Sequence, residues 1–127
     1  MRIEHLALWT PDIERLKRFY ERYFGATANS KYINERSGFQ SYFLTFSAGT
    51  RLELMQRPDI SKAREGEEAL GYAHLAISAG SEEAVDAMTH RLENDGYTCP
   101  SGPRKTGDGY YESLILDPDG NRIEITI

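Results

Sequence analysis

The sequence predicts an α+β fold of two tandem βαβββ modules. Together they form a curved, open, eight-stranded barrel-like sheet with its helices outside and a concave cleft within. Three observations lead there. The chain repeats itself: residues 5–7 and 74–76 both read His-Leu-Ala, and Arg51-Leu52-Glu53-Leu54 is answered by Arg122-Ile123-Glu124-Ile125. The spacing repeats as well, with 48 positions from His5 to Glu53 and 50 from His74 to Glu124. In each half, apolar residues recur first at the strand period, then at the helix period, then at the strand period again. The 127 residues suit one domain. Module one covers about 1–56, a charged connector 57–70, and module two 71–127.

Residues 2–9 alternate as a half-buried strand does. Thr10 and Pro11 then open a helix, with Pro near its first position and Asp12 in its first turn. Ile13, Leu16, Phe19, Tyr20, Tyr23 and Phe24 recur at helical spacing, and Gly25 stops it. Strands are expected near 27–34, 39–47 and 50–56. In the second half a strand covers about 71–78. Ser81, Glu82 and Glu83 start a helix whose apolar stripe is Ala84, Val85, Met88 and Leu92, with Gly96 at its end. Strands follow near 97–101, 110–116 and 122–127, the last two joined by the turn Asp117-Pro118-Asp119-Gly120.

Composition excludes several classes of function. The net charge is −5, and the densest basic group is the pair Arg104 and Lys105, so no nucleic-acid partner is expected. No apolar stretch approaches the roughly 20 residues that span a bilayer, and Met1-Arg2-Ile3-Glu4-His5 reads as the start of a strand, not as a signal peptide. Cys99 is the one cysteine and has no disulfide partner in the chain, which fits a reducing compartment. A cytoplasmic protein is expected.

Alternation on the strands makes the repeat chemical. Leu6 and Leu8, Leu52 and Leu54, Ala73, Leu75 and Ile77, and Ile123, Ile125 and Ile127 form aliphatic faces that should pack under the helices. His5, Glu53, His74 and Glu124 fall on the opposite faces and point into the concave side. Two imidazoles and two carboxylates are a first shell for a divalent ion: nickel, zinc, cobalt, manganese or ferrous iron. With no thiolate, a closed structural zinc site is not expected. Ions that accept six ligands would keep about two positions for water or substrate. On the same faces, Trp9, Met55 and Tyr72 offer apolar and aromatic walls. Arg51 and Arg122 are available to an anion or to an ion pair with Glu53, Glu124 or another nearby carboxylate. His90 is expected on the surface of the second helix. Cys99 is expected to be a small buried or half-buried residue, not a nucleophile. Tyr42, Tyr110 and Tyr111 suit core, dimer or ligand contacts alike.

These residues resemble the vicinal oxygen chelate superfamily, which includes glyoxalase I, methylmalonyl-CoA epimerase, fosfomycin-resistance proteins, extradiol dioxygenases and bleomycin-binding proteins. The resemblance covers the whole chain. It is carried by Ile3-Glu4-His5-Leu6-Ala7-Leu8, Gly71-Tyr72-Ala73-His74-Leu75-Ala76 and Leu116-Asp117-Pro118-Asp119-Gly120-Asn121-Arg122-Ile123-Glu124. The ligand order His, Glu, His, Glu is similar to that of glyoxalase I, and Gly102-Pro103-Arg104-Lys105-Thr106-Gly107 also looks glyoxalase-like. Trp9 departs from the pattern, standing where bacterial glyoxalase I usually has an Arg for glutathione. Leu54-Met55-Gln56-Arg57 likewise lacks the Asn that tends to follow the second ligand. The resemblance implies a metal-dependent lyase or isomerase that moves a proton next to a metal-chelated carbonyl. Its substrate would be a glutathione thiohemiacetal or another small α-oxygenated compound. It implies Glu124 as the catalytic base, with Glu53 as its quasi-symmetric partner. The alternatives are a small-molecule binding or resistance protein without turnover, and a ferrous-iron extradiol-type dioxygenase. A homodimer is expected, because a small curved sheet leaves edges and aromatic surface to cover.

Overall fold

The computed structural model describes residues 1–60, 71–107 and 109–127. The chain divides into two compact units, Met1–Arg64 and Glu65–Ile127, and the described residues of each place one helix against one open sheet. Of the expected connector, residues 61–70 lie outside the described residues. Among the described residues no helix is long and apolar enough to cross a membrane.

In the first unit, β1 (His5–Trp9) leads into α1 (Ile13–Phe24), followed by β2 (Thr27–Ala28), β3 (Tyr32–Asn34), β4 (Phe39–Thr45) and β5 (Arg51–Gln56). The sheet runs β1-β5-β4-β2, and β3 also pairs with β4. β1 lies parallel to β5, and α1 with the three strands that follow it makes the long connection a parallel pair needs. The Asp12 side chain caps α1 by accepting from the Arg15 amide at 2.9 Å, so Asp12 precedes the helix instead of lying in its first turn. Gly25 closes the helix in the left-handed conformation, φ 63°, where a side chain would be strained. The expected helical stripe is the buried one: Ile13, Leu16, Phe19, Tyr20 and Tyr23 meet Leu44, Leu52 and Leu54.

The strand expected over 27–34 is broken. Asn29 still pairs with Phe43 through its own amide and its side-chain carbonyl. Ala28 faces Leu44, but Tyr32 faces Ser41. Four steps on one strand thus match three on the other, which is a one-residue bulge. The break raises the strand count among the described residues to nine, not eight.

In the second unit, β6 (Leu75–Ser78) leads into α2 (Glu82–Asn94), then β7 (Ser101–Lys105), β8 (Tyr111–Leu116) and β9 (Arg122–Thr126), in the order β6-β9-β8-β7. Ser81 caps α2 by accepting from the Ala84 amide. Val85, Leu92, Ile115, Ile123 and Ile125 are fully buried. Ala84 and Met88 are only half-buried, and Thr89 takes the remaining inward position. Its hydroxyl donates to the Val85 carbonyl at 2.7 Å and meets Ser113 Oγ at 2.6 Å, so the buried oxygens are satisfied. The strand expected near 97–101 lies later, at Ser101–Lys105, and carries a bulge between Ser101 and Arg104. β1 and β6 also start later than expected, at His5 and Leu75.

The β8–β9 turn is held by one carboxylate. Asp117 is buried and accepts from the Asp119 amide, the Asn121 amide and Asn121 Nδ2 at 2.8–2.9 Å. Asp117→Ala is expected to cost about 2 kcal/mol by stranding those donors, read as a lower chemical-denaturation midpoint. Burial pushes the Asp117 carboxyl above its ordinary value, against the pull of those bonds. The folded state therefore binds this proton more tightly than the unfolded chain. The wild-type contribution falls as pH rises from the ordinary carboxylate range through the raised value, and Asp117→Ala should remove that slope.

Candidate metal centre

The first unit brings His5 and Glu53 together on the sheet face away from α1. In the parallel β1–β5 register, Glu53 stands opposite Ala7, two residues beyond His5. The side chains meet with His5 Nε2 3.7 Å from Glu53 Oε2. On the other side Glu53 faces Phe43, whose ring meets the His5 imidazole edge-on at 5.4 Å.

The second unit builds the same arrangement. Glu124 stands opposite Ala76, two residues beyond His74, and His74 Nε2 lies 3.2 Å from Glu124 Oε2. His74 sits one residue before β6, and Leu114 occupies the place of Phe43. Each glutamate is flanked along its strand by buried aliphatics: Leu52 and Leu54, or Ile123 and Ile125. The backbone beneath both carboxylates is thereby fixed by the core. Two donors at roughly 2.1 Å from a shared ion, 90–109° apart, are separated by about 3.0–3.4 Å. Each pair is near that separation and supplies one imidazole nitrogen and one carboxylate oxygen, a donor set that suits a borderline divalent ion. Within each unit the described residues offer a pair, not a group of three.

His5 has a partner that strand alternation did not reveal. Glu4 precedes β1 and is free of its alternation, and its Oε2 lies 2.5 Å from His5 Nδ1. Glu4 also pairs with the Arg51 guanidinium. Hydrogen bonds from His5 and then Arg51 hold the Glu4 carboxyl below the usual range. In the neutral tautomer that donates Nδ1–H to Glu4, the Nε2 lone pair faces Glu53. Ala73 stands at the corresponding place before His74, so only one half has this support.

The other candidates divide. Arg51 pairs with Glu4, not Glu53, and its guanidinium lies 4.3 Å from the Phe43 ring centre. Met55 lies opposite Trp9, on the His5 face. Tyr72 lies before β6 and is 82% exposed. Arg122 is half-buried opposite Leu116. His90 is a surface residue 3.8 Å from Glu93. Cys99 is half-buried, and burial pushes its thiol up, away from the thiolate a nucleophile needs. Tyr42 is buried and donates to Glu14, Tyr111 donates to Asp86, and Tyr110 is exposed.

Comparison with known proteins bears on the fold and the family. An uncharacterised Bacillus subtilis (strain 168) protein, YqjT, is 27% identical over 130 residues, covering 97% of this chain and 96% of its own. The structure of a possible glyoxalase from Bacillus cereus is 27% identical with a TM-score of 0.72, covering 100% of this chain and 99% of that one. Maize (Zea mays) glyoxalase I, in its V278E form, superposes with a TM-score of 0.82 at 22% identity. There this chain is covered over 98% but spans only 44% of the maize protein, so the likeness is one of fold. The family model of the Glyoxalase/Bleomycin resistance protein/Dioxygenase superfamily matches residues 2–125. With the duplicated strand–helix–strand frame and whole-length matches, the chain belongs to that superfamily, the vicinal oxygen chelate proteins.

Proposed function

We propose that the protein is a divalent-metal-dependent, glyoxalase I-like lyase or isomerase, and that His5, Glu53, His74 and Glu124 hold one ion between them. The observation that carries this reading is the shared register: in both halves the glutamate faces the residue two beyond the histidine, and the side chains converge. The proposal holds whether the two pairs come from one chain or from two. A bound divalent ion supplies a Lewis acid that polarises a substrate carbonyl and stabilises charge developing on its oxygen. Glu124 serves as the base: its carboxylate takes the proton beside the carbonyl and returns it to the neighbouring carbon. Glu53 takes the equivalent place in the first half. Trp9, Met55 and Tyr72 flank the substrate, with Arg51 and Arg122 at its margins. The substrate is a small α-oxygenated compound, a glutathione thiohemiacetal being the first to test. A homodimer in a reducing, cytoplasmic setting is the proposed form.

The test is metal loading of untagged, metal-free protein with nickel, zinc, manganese or ferrous iron, followed by assay with methylglyoxal and glutathione. Uptake, a raised melting temperature and turnover are the expected results. Uptake without turnover on any α-oxygenated substrate would point to the binding-protein alternative, and no uptake would sink the reading. Glu4→Ala is expected to weaken metal binding by 10–100-fold, the usual cost of losing a carboxylate behind a ligating histidine. A direct titration checks this, and an unchanged Kd would remove Glu4 from the role.

A further inference from the structure

We propose that Trp9, Phe39 and Tyr32 form an aromatic subsite that receives a flat, uncharged apolar group of the ligand, some distance along the sheet from its oxygen-bearing end. The proposal rests on the metal-centre reading and adds a substrate class to it: a chelating head with an aromatic tail.

Four strands contribute to one row. Trp9 faces Met55, Met55 faces Ser41, and Ser41 faces Tyr32. Trp9 shares the face of His5, two alternations along β1, so the row runs across the sheet on the side away from α1. Phe39 joins the outer rings, with its centre 6.2 Å from that of Trp9 and 6.1 Å from that of Tyr32. Trp9 and Tyr32 remain 40% and 55% exposed.

The fold does not need aromatic rings in this row. In the second half, the position four residues beyond the histidine is Ser78. Its partner is Thr126, and the partner of Thr126 is Glu112. The same frame thus accepts two hydroxyls and a carboxylate where the first half has Trp9, Met55 and Ser41. Among the described residues β3 has no counterpart in the second sheet.

The bulge between Asn29 and Tyr32 decides which way Tyr32 points. In the register that pairs Ala28 with Leu44, unbroken pairing would put Lys31 opposite Ser41 and turn Tyr32 to the other face. The extra residue reverses this and brings Tyr32 round to the row of Trp9.

The charge beside the rings is already answered. The Arg57 guanidinium lies 5.4 Å from the Trp9 ring centre, and its charge is paired with Asp59, to which Nε and Nη2 donate at 2.5 and 3.0 Å. It offers a neutralised planar wall in place of an anion site, so the favoured tail is aromatic and uncharged. His5 and Trp9 are four residues apart on one strand, which sets the tail roughly 13 Å from the head.

Trp9 is the chain's one tryptophan, so its fluorescence reports on the subsite directly. The probes are acetohydroxamic acid, which presents only a two-oxygen chelating head, and 6-phenylhexanohydroxamic acid, which adds a phenyl tail. With zinc-loaded full-length protein, the phenyl probe is expected to bind about 10-fold more tightly, as one to two ring contacts would give, and to change the Trp9 emission. Tyr32→Ala should remove a few-fold of that gain and leave the acetohydroxamate Kd unchanged. Ile33→Ala, an equally exposed apolar neighbour on the opposite face of β3, should change neither. Equal affinities for the two probes, silent Trp9 emission, or a gain insensitive to Tyr32→Ala but sensitive to Ile33→Ala would overturn the subsite and leave the metal centre intact. Failure to bind zinc would overturn both, and the zinc titration reads that outcome separately.

Discussion

Glu124→Gln is expected to lower kcat by 10²–10⁴-fold in metal-loaded protein, while leaving the fold in place and retaining most metal binding. The substitution is nearly isosteric. The backbone at 124 is held by Ile123 and Ile125, both fully buried, so the side chain should stay where it is. A glutamine oxygen can still face an ion beside His74 Nε2, but it cannot accept a proton at neutral pH. The loss should therefore appear in kcat with little change in metal content or melting temperature. Glu53→Gln provides the internal comparison. Its carboxylate is the more enclosed of the two, lying beside Phe43 and the His5 ring, and it should affect metal retention more than turnover. An undiminished rate in Glu124→Gln would move the base to Glu53 or remove the carboxylate mechanism.

Gly102→Ala is expected to destabilise the second unit by at least about 3 kcal/mol. The backbone there has φ +99°, which costs a side chain roughly 1–2 kcal/mol by itself. A Cβ would also lie 2.6 Å from Ser113 Cα and 2.7 Å from the Glu112 carbonyl oxygen, both backbone atoms that cannot step aside cheaply. Yielding would push β8 and disturb the buried Ser113–Thr89 contact that ties α2 to the sheet. Gly49→Ala separates the two costs: it has φ +92° and nothing within 4 Å of the added carbon, so it should pay only the backbone part. Equilibrium denaturation of both variants measures the difference. Equal destabilisation would mean that the β7–β8 approach is not tight.

The frame was legible because the repeat carries two kinds of information at once. His-Leu-Ala and the Arg-apolar-Glu-apolar strand set both the residue types and the parity that sorts them onto faces. The structure keeps that parity: Leu52, Leu54, Ile123 and Ile125 are buried, and the glutamates between them meet their histidines. Glu4 was not legible, because it lies outside β1 and follows no alternation. Tyr32 was hidden by a bulge, which changes parity without leaving a distinct mark in composition. Phe43 could have been found, since counting across the β4–β5 hairpin places it opposite Glu53. The strand expected over 97–101 was displaced because Gly102 and Pro103 look like a terminator in sequence, yet they lie inside β7 at a bulge. Thr89 was passed over in favour of Ala84 and Met88, because a hydroxyl reads as polar until its two partners, Val85 and Ser113, are known.

The central claim is that two His–Glu pairs serve one ion. The direct measurement is a cobalt or zinc titration of metal-free wild-type protein and of His5→Ala and His74→Ala variants, reading stoichiometry and Kd. The expected result is one ion per chain at saturation for wild type, with affinity lost in either variant because each half supplies part of the same shell. Two ions per chain, or one variant keeping wild-type affinity, would show that the pairs act separately and would contradict the claim.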